Sequence, residues 1–91
     1  MFVVVTYDIS DNKRRLHVSN ELENFGLRVN LSVFECHLSW EDLADLKRKL
    51  AGKIDTGTDK IRYYTLCDSC FKKVDVQGNG EVTQQNDYIL V

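Results

Sequence analysis

Ninety-one residues, 43% hydrophobic and 29% charged, fit one modest globular core and exclude a disordered or membrane-spanning chain. A net charge of -2 excludes attraction to phosphate by the overall field, so any contact with nucleic acid must come from local clusters of Lys and Arg. A chain this short buries only about 60 to 65% of its unfolded surface, and association into a homodimer is the expected remedy.

Phe2-Val3-Val4-Val5 has no basic lead and runs directly into Tyr7-Asp8, too short for the core of a signal peptide, and no later stretch has the length to span a bilayer. Three cysteines, an odd number, argue against a disulfide framework and agree with a reducing compartment. A cytoplasmic protein with no membrane partner is expected.

Residues 2 to 8 are β-branched and apolar at both parities, with Phe2, Val4 and Thr6 on one face and Val3, Val5 and Tyr7 on the other. This pattern predicts a central strand covered on both sides. Ser10-Asp11-Asn12 supplies N-cap chemistry, and Val18, Leu22 and Phe25 follow at helical spacing, predicting a helix over about 12–25 stopped by Gly26. From Leu27 to Leu38 the residues favour strand, but Asn30 and Ser32 interrupt the run, which predicts two short antiparallel strands or one bent pair. Cys36 alternates with Phe34 and Leu38 and reads as core. Ser39-Trp40-Glu41-Asp42 resembles a capping box, and Leu43, Leu46 and Leu50 define a second amphipathic helix ending at Gly52. Lys60 to Leu66 is the next strand.

Strand, helix, strand, strand, helix, strand is the α+β, ferredoxin-like βαββαβ order, with both helices on one face of an antiparallel sheet. The other sheet face is left bare, and a two-fold copy of the chain is the simplest cover, giving a sheet-to-sheet homodimer. The whole chain, 1–91, reads as a single domain with its core over about 1–66. Residues 67–91 form an extension with a short strand near Val74-Asp75-Val76, a turn at Gly78-Asn79-Gly80, and the apolar end Tyr88-Ile89-Leu90-Val91. That end predicts a final strand on a sheet edge, the partner's by preference.

Asp8 ends the central strand where the strand meets the bare face, and two readings stand beside each other. It caps a turn or the first helix, as Asp often does; or it faces its copy across the two-fold, where two carboxylates hold one Mg²⁺ or Mn²⁺. Such an ion would polarise a phosphodiester and lower the pKa of a bound water. Lys13-Arg14-Arg15 opens the first helix and Arg28 the following strand. They serve either as flanking contacts to a phosphate backbone or as a solvated surface, although cations in a first turn oppose the helix dipole. Cys67-Asp68-Ser69-Cys70 has half of a zinc-site spacing, with no second pair or nearby His to complete it. A redox motif would need these thiols at a helix start in a thioredoxin-like order, which this chain is expected to lack, and a zinc site shared between two chains is the other alternative. His17 and His37 belong to no nucleophile pattern.

The segments Val3-Val4-Val5-Thr6-Tyr7-Asp8-Ile9-Ser10-Asp11, Lys13-Arg14-Arg15, Gly26-Leu27-Arg28-Val29 and Ser32-Val33-Phe34-Glu35-Cys36 resemble the CRISPR-associated Cas-two family, and the likeness continues to the apolar C-terminus. The resemblance implies a ferredoxin-like homodimer working with the Cas-one integrase in the acquisition of foreign DNA spacers, its C-terminal strand added to the partner's sheet. Asp8 matches the family's metal-binding aspartate. Tyr7, Arg14 or Arg15, Arg28 and Phe34 fall where the family is linked to nuclease activity or substrate contact. Members differ, some being metal-dependent endonucleases on RNA or double-stranded DNA and others non-catalytic bridges between integrase dimers, so an enzyme and a structural adaptor are both carried forward.

Overall fold

The β-branched run at the N-terminus forms β1 (Phe2–Asp8), which takes the central position because both of its edges are paired. The computed structural model describes residues 1–84. After β1 come α1 (Asn12–Leu22), β2 (Leu27–Asn30), β3 (Val33–His37), α2 (Trp40–Ala51), β4 (Lys60–Leu66) and the one-turn α3 (Asp68–Phe71). The sheet is antiparallel with order β2-β3-β1-β4, so the ferredoxin-like reading holds. β1 pairs with β3 from Phe2 opposite His37 to Thr6 opposite Val33, and with β4 from Phe2 opposite Leu66 to Asp8 opposite Lys60.

Local chemistry fixes the helix ends. The Asp11 carboxylate accepts from the Arg14 N–H at 2.8 Å, and Ser39 Oγ accepts from the Asp42 N–H at 3.1 Å, so both caps satisfy a backbone donor that the helix leaves orphaned. In α2, Glu41 and Asp42 sit in the first turn with Arg48 and Lys49 in the last, in the sense that complements the helix dipole. α1 ends at Leu22, one turn earlier than its apolar spacing suggests. A tight turn there sends the N–H groups of Phe25 and Gly26 back to the Leu22 carbonyl, while Phe25 remains in the core. Gly26 is needed because β3 passes against it: a methyl group there would overlap the Glu35 carbonyl and Cys36 Sγ.

Period-two alternation divides the sheet. Val3, Val5 and Tyr7 of β1 and Phe34 and Cys36 of β3 join Val18 and Leu22 of α1 and Leu43, Leu46 and Leu50 of α2 in one buried cluster. Each of the three α2 leucines contributes about 1.5–3 kcal/mol by leaving water. The opposite face carries Phe2, Val4, Thr6 and Asp8, flanked by Glu35 and His37 on one side and Arg62 and Tyr64 on the other.

Part of this second face is covered by the chain itself. The Phe71 ring lies 4.8 Å from Phe2 and 4.9 Å from His37, and Thr83 donates its hydroxyl to Glu35 at 2.6 Å while its carbonyl meets His37 Nε2 at 2.9 Å. The short strand expected near Val74-Asp75-Val76 is not formed; that segment is irregular, and Gly78 and Gly80 turn the chain with positive φ. The final strand expected at Tyr88–Val91 lies outside the described residues. Among the described residues no helix is long and apolar enough to cross a membrane.

Candidate functional site

Asp8 emerges at the end of β1 on the face away from the helices, exposed, and its carboxylate makes no hydrogen bond or ion pair with the described residues. The antiparallel register sets Lys60 opposite it and Arg62 opposite Thr6. Thr6, Tyr7, Asp8, Lys60 and Arg62 together line a recess of about 250 Å³. Lys60 and Arg62 are exposed, and a side-chain hydrogen bond to Tyr64 raises the pKa of Arg62 and keeps it cationic. A free carboxylate flanked by two cations offers a place for a phosphate and a place for a group that phosphate carries with it.

Sequence reasoning does not single out Lys60 or Arg62, because residues 60–66 read only as a strand. The available signal is their parity: both alternate with Ile61 and Tyr63, which pack toward the core, so both must point to the Asp8 side.

The other expected site residues separate by role. Tyr7 is buried, and its hydroxyl donates to the Leu31 carbonyl at 3.1 Å, clamping the turn between β2 and β3. Phe34 is fully buried in the core, which favours the packing reading of that residue. Arg14 donates from Nε to Asp59 Oδ2 at 2.8 Å and from a terminal nitrogen to Oδ1 at 3.3 Å. Arg15 donates to the Ile9 carbonyl at 2.9 Å, to the Ser10 carbonyl at 3.2 Å and to the Asn12 side chain, wrapping the turn between β1 and α1. Arg28 donates to the Leu31 carbonyl at 3.1 Å and stacks 5.2 Å over Phe34. Lys13 is exposed and has no ion-pair partner among the described residues.

The structure thus brings Tyr7, Arg15 and Arg28 into one recess with Asn12, Leu16 and Ser19, and Asp8 with Lys60 and Arg62 into another. Arg14 belongs to neither. Its partner Asp59 is buried, and the Arg14 hydrogen bond, aided by the Asp55 N–H, holds the Asp59 carboxyl below the usual carboxylate range. Asp59 ties α1 to the loop before β4, and nothing local in the sequence marks it.

A carboxylate with free oxygens is the donor type Mg²⁺ or Mn²⁺ takes, but among the described residues no three His, Cys, Asp or Glu side chains gather to hold an ion. One protomer therefore fits such an ion only as a single ligand, with the rest of the shell left to water, phosphate or a second copy.

Residues 1–74 match the family model described as CRISPR associated protein Cas2. The chain belongs to the CRISPR-associated Cas2 family. Among its Cas2 relatives is the CRISPR-associated endoribonuclease Cas2 1 of Chloroflexus aurantiacus, 41% identical over 93 residues that span 99% of this chain and 100% of that one. The crystal structure of Streptococcus pyogenes Cas2 at pH 6.5 superimposes with a TM-score of 0.75 at 37% identity, over 86% of this chain and 100% of that one. A chain of a partial Cas6-RT-Cas1–Cas2 complex superimposes with a TM-score of 0.74 at 26% identity, over 99% and 98% of the two chains. The Cas2 likeness thus extends across the sheet that carries Asp8, Lys60 and Arg62 as well as the first helix.

Proposed function

We propose that this protein is a metal-dependent endonuclease of the CRISPR adaptation machinery, acting on nucleic acid as a homodimer in company with a Cas1 integrase. The observation that carries the reading is the exposed, unpartnered Asp8 at the open end of β1, flanked across the register by Lys60 and Arg62. Support for the reaction class comes from the relative named an endoribonuclease, and support for the partner from the similar chain found with Cas1.

Each residue then has a task its position allows. Lys60 and Arg62 receive the phosphate backbone and set its height over the sheet edge. Asp8, with no internal partner to surrender, presents a carboxylate to the scissile phosphate and, paired with its copy, would hold Mg²⁺ or Mn²⁺. When bound, that ion supplies Lewis-acid polarisation and a more acidic water. Tyr7 and Arg15 fix the backbone on either side of Asp8 through the Leu31, Ile9 and Ser10 carbonyls, so the carboxylate is presented from a rigid strand end. Val4, Tyr64 and the uncovered part of the second sheet face supply the surface for the copy.

A second reading, the non-catalytic adaptor that bridges integrase dimers and holds DNA, is favoured by one observation: Arg14, Arg15 and Arg28 are committed to internal contacts and leave few cations for chemistry. Hydrolysis of RNA and of duplex DNA in Mg²⁺ by wild type and Asp8→Ala separates the two. Loss of cleavage in the variant supports the enzyme; equal cleavage by both supports the adaptor, as does unimpaired spacer integration by the variant with its Cas1.

A further inference from the structure

The paired cysteines lie outside the site around Asp8, and the structure gives them a setting the sequence does not display. Cys67 follows the last residue of β4 and is the N-cap of α3, where its carbonyl accepts from the Phe71 N–H at 2.8 Å. Cys70 lies one turn on. Helix geometry places Cα atoms three residues apart at about 5 Å, within the range a disulfide spans. Both thiols are exposed and unbridged, whereas Cys36 is buried.

The two thiols are not independent. Cys67 Sγ lies 3.2 Å from Ser69 Oγ, and Cys70 stands one turn along the same face. The Ser69 hydroxyl foremost brings the pKa of the Cys67 thiol down to about 7, while the nearby Cys67 sulfur pushes that of Cys70 up. One cysteine is poised to attack and its neighbour to resolve.

We infer that Cys67 and Cys70 form a redox-active dithiol that accepts low-molecular-weight disulfides as its oxidant. The Cys67 thiolate attacks one sulfur of the disulfide, forming a mixed disulfide and releasing one thiol. Cys70 loses its proton and attacks Cys67 Sγ, closing the intramolecular disulfide and releasing the second thiol. Two protein thiols are oxidised and one small-molecule disulfide is reduced to two thiols. Cys70 precedes Phe71, whose ring packs on Phe2 and His37, so the closed bridge ties the end of β4 to the cover of the second sheet face.

The test incubates the reduced full chain with oxidised glutathione, quenches with acid, denatures, alkylates with N-ethylmaleimide and weighs the product. Wild type is expected to pass from three alkylated cysteines to one. Cys70→Ser is expected to accumulate a glutathione mixed disulfide on Cys67, at pH 7 about ten times faster than Cys67→Ser acquires one on Cys70. Retention of three alkylatable thiols in excess oxidised glutathione, or equal rates for the two variants, would overturn the assignment.

Discussion

Arg14 and Asp59, 45 residues apart in sequence, are joined by two hydrogen bonds from the guanidinium to a buried carboxylate. The same carboxylate accepts from the Asp55 N–H and the Thr58 hydroxyl, so it gathers the α2–β4 loop onto the start of α1. Removing Arg14 leaves the buried Asp59 without a countercharge, and removing Asp59 leaves Arg14 only the longer contact to Asp11 at 3.9 Å; Arg14→Ala and Asp59→Asn are each expected to lower the melting temperature, with the double variant close to either single one. Thermal scans of the three variants check this. Because Asp59 is held below the ordinary carboxylate range, its stabilisation is complete above about pH 3.9. It is lost as pH falls through the lower folded value, so wild type and Asp59→Asn converge in acid.

Lys60→Ala and Arg62→Ala remove exposed cations and leave the core untouched, so both variants are expected to fold normally and bind nucleic acid more weakly. Withdrawing one cation from the phosphate backbone makes the slope of log affinity against log salt shallower by about 0.9 for duplex DNA. Titrations at several salt concentrations read that slope. Arg14→Ala, whose guanidinium serves Asp59, should leave it unchanged in protein that remains folded.

How much of the fold and the site is legible in the sequence depends on the range of the interaction. β1, the two caps and the strand over 60–66 follow from neighbouring residues, and the sequence reading places them correctly. Asp8 stands out because it ends a strand whose parity is plain. Lys60 and Arg62 do not, since only the antiparallel register of two strands more than fifty residues apart brings them beside it. The structural tie of Arg14 is hidden for the same reason: a basic first turn gives no sign of the Asp59 carboxylate that it pairs with 45 residues on. The helix start at Cys67 is invisible because a four-residue helix has no period to read.

Phe34 is completely buried between the sheet and the helices, with Tyr7 6.4 Å away and Arg28 over its ring. Phe34→Ala is therefore expected to destabilise the fold by about 3–5 kcal/mol, read as a lower urea midpoint. Phe34→Leu should recover most of that stability together with full nucleic-acid binding, as a packing role requires.

Alkaline stability follows from two shielded acids, the buried Cys36 and the half-buried Tyr63. Burial holds the pKa of Cys36 up at about 12 from an ordinary 9.0, with Glu35 adding to the shift, and it holds that of Tyr63 up at about 12 from 10.0. In the unfolded chain both groups ionise earlier, so their stabilising effect is full below pH 9 and is lost as pH rises through the folded values. Denaturant midpoints measured from pH 8 to pH 12 should fall steadily, and Cys36→Ala should flatten the first part of that fall.

The proposed chemistry requires two Asp8 carboxylates from two protomers to complete one site, and mixed dimers measure this directly. Wild type and Asp8→Asn are combined at equal concentration, exchanged to equilibrium, and assayed for Mg²⁺-dependent cleavage at constant total protein. If both carboxylates are required, only the wild-type homodimer is active and the rate falls to about a quarter of the wild-type rate. A rate near one half would show that each protomer cuts alone, and an undiminished rate would remove Asp8 from the chemistry altogether.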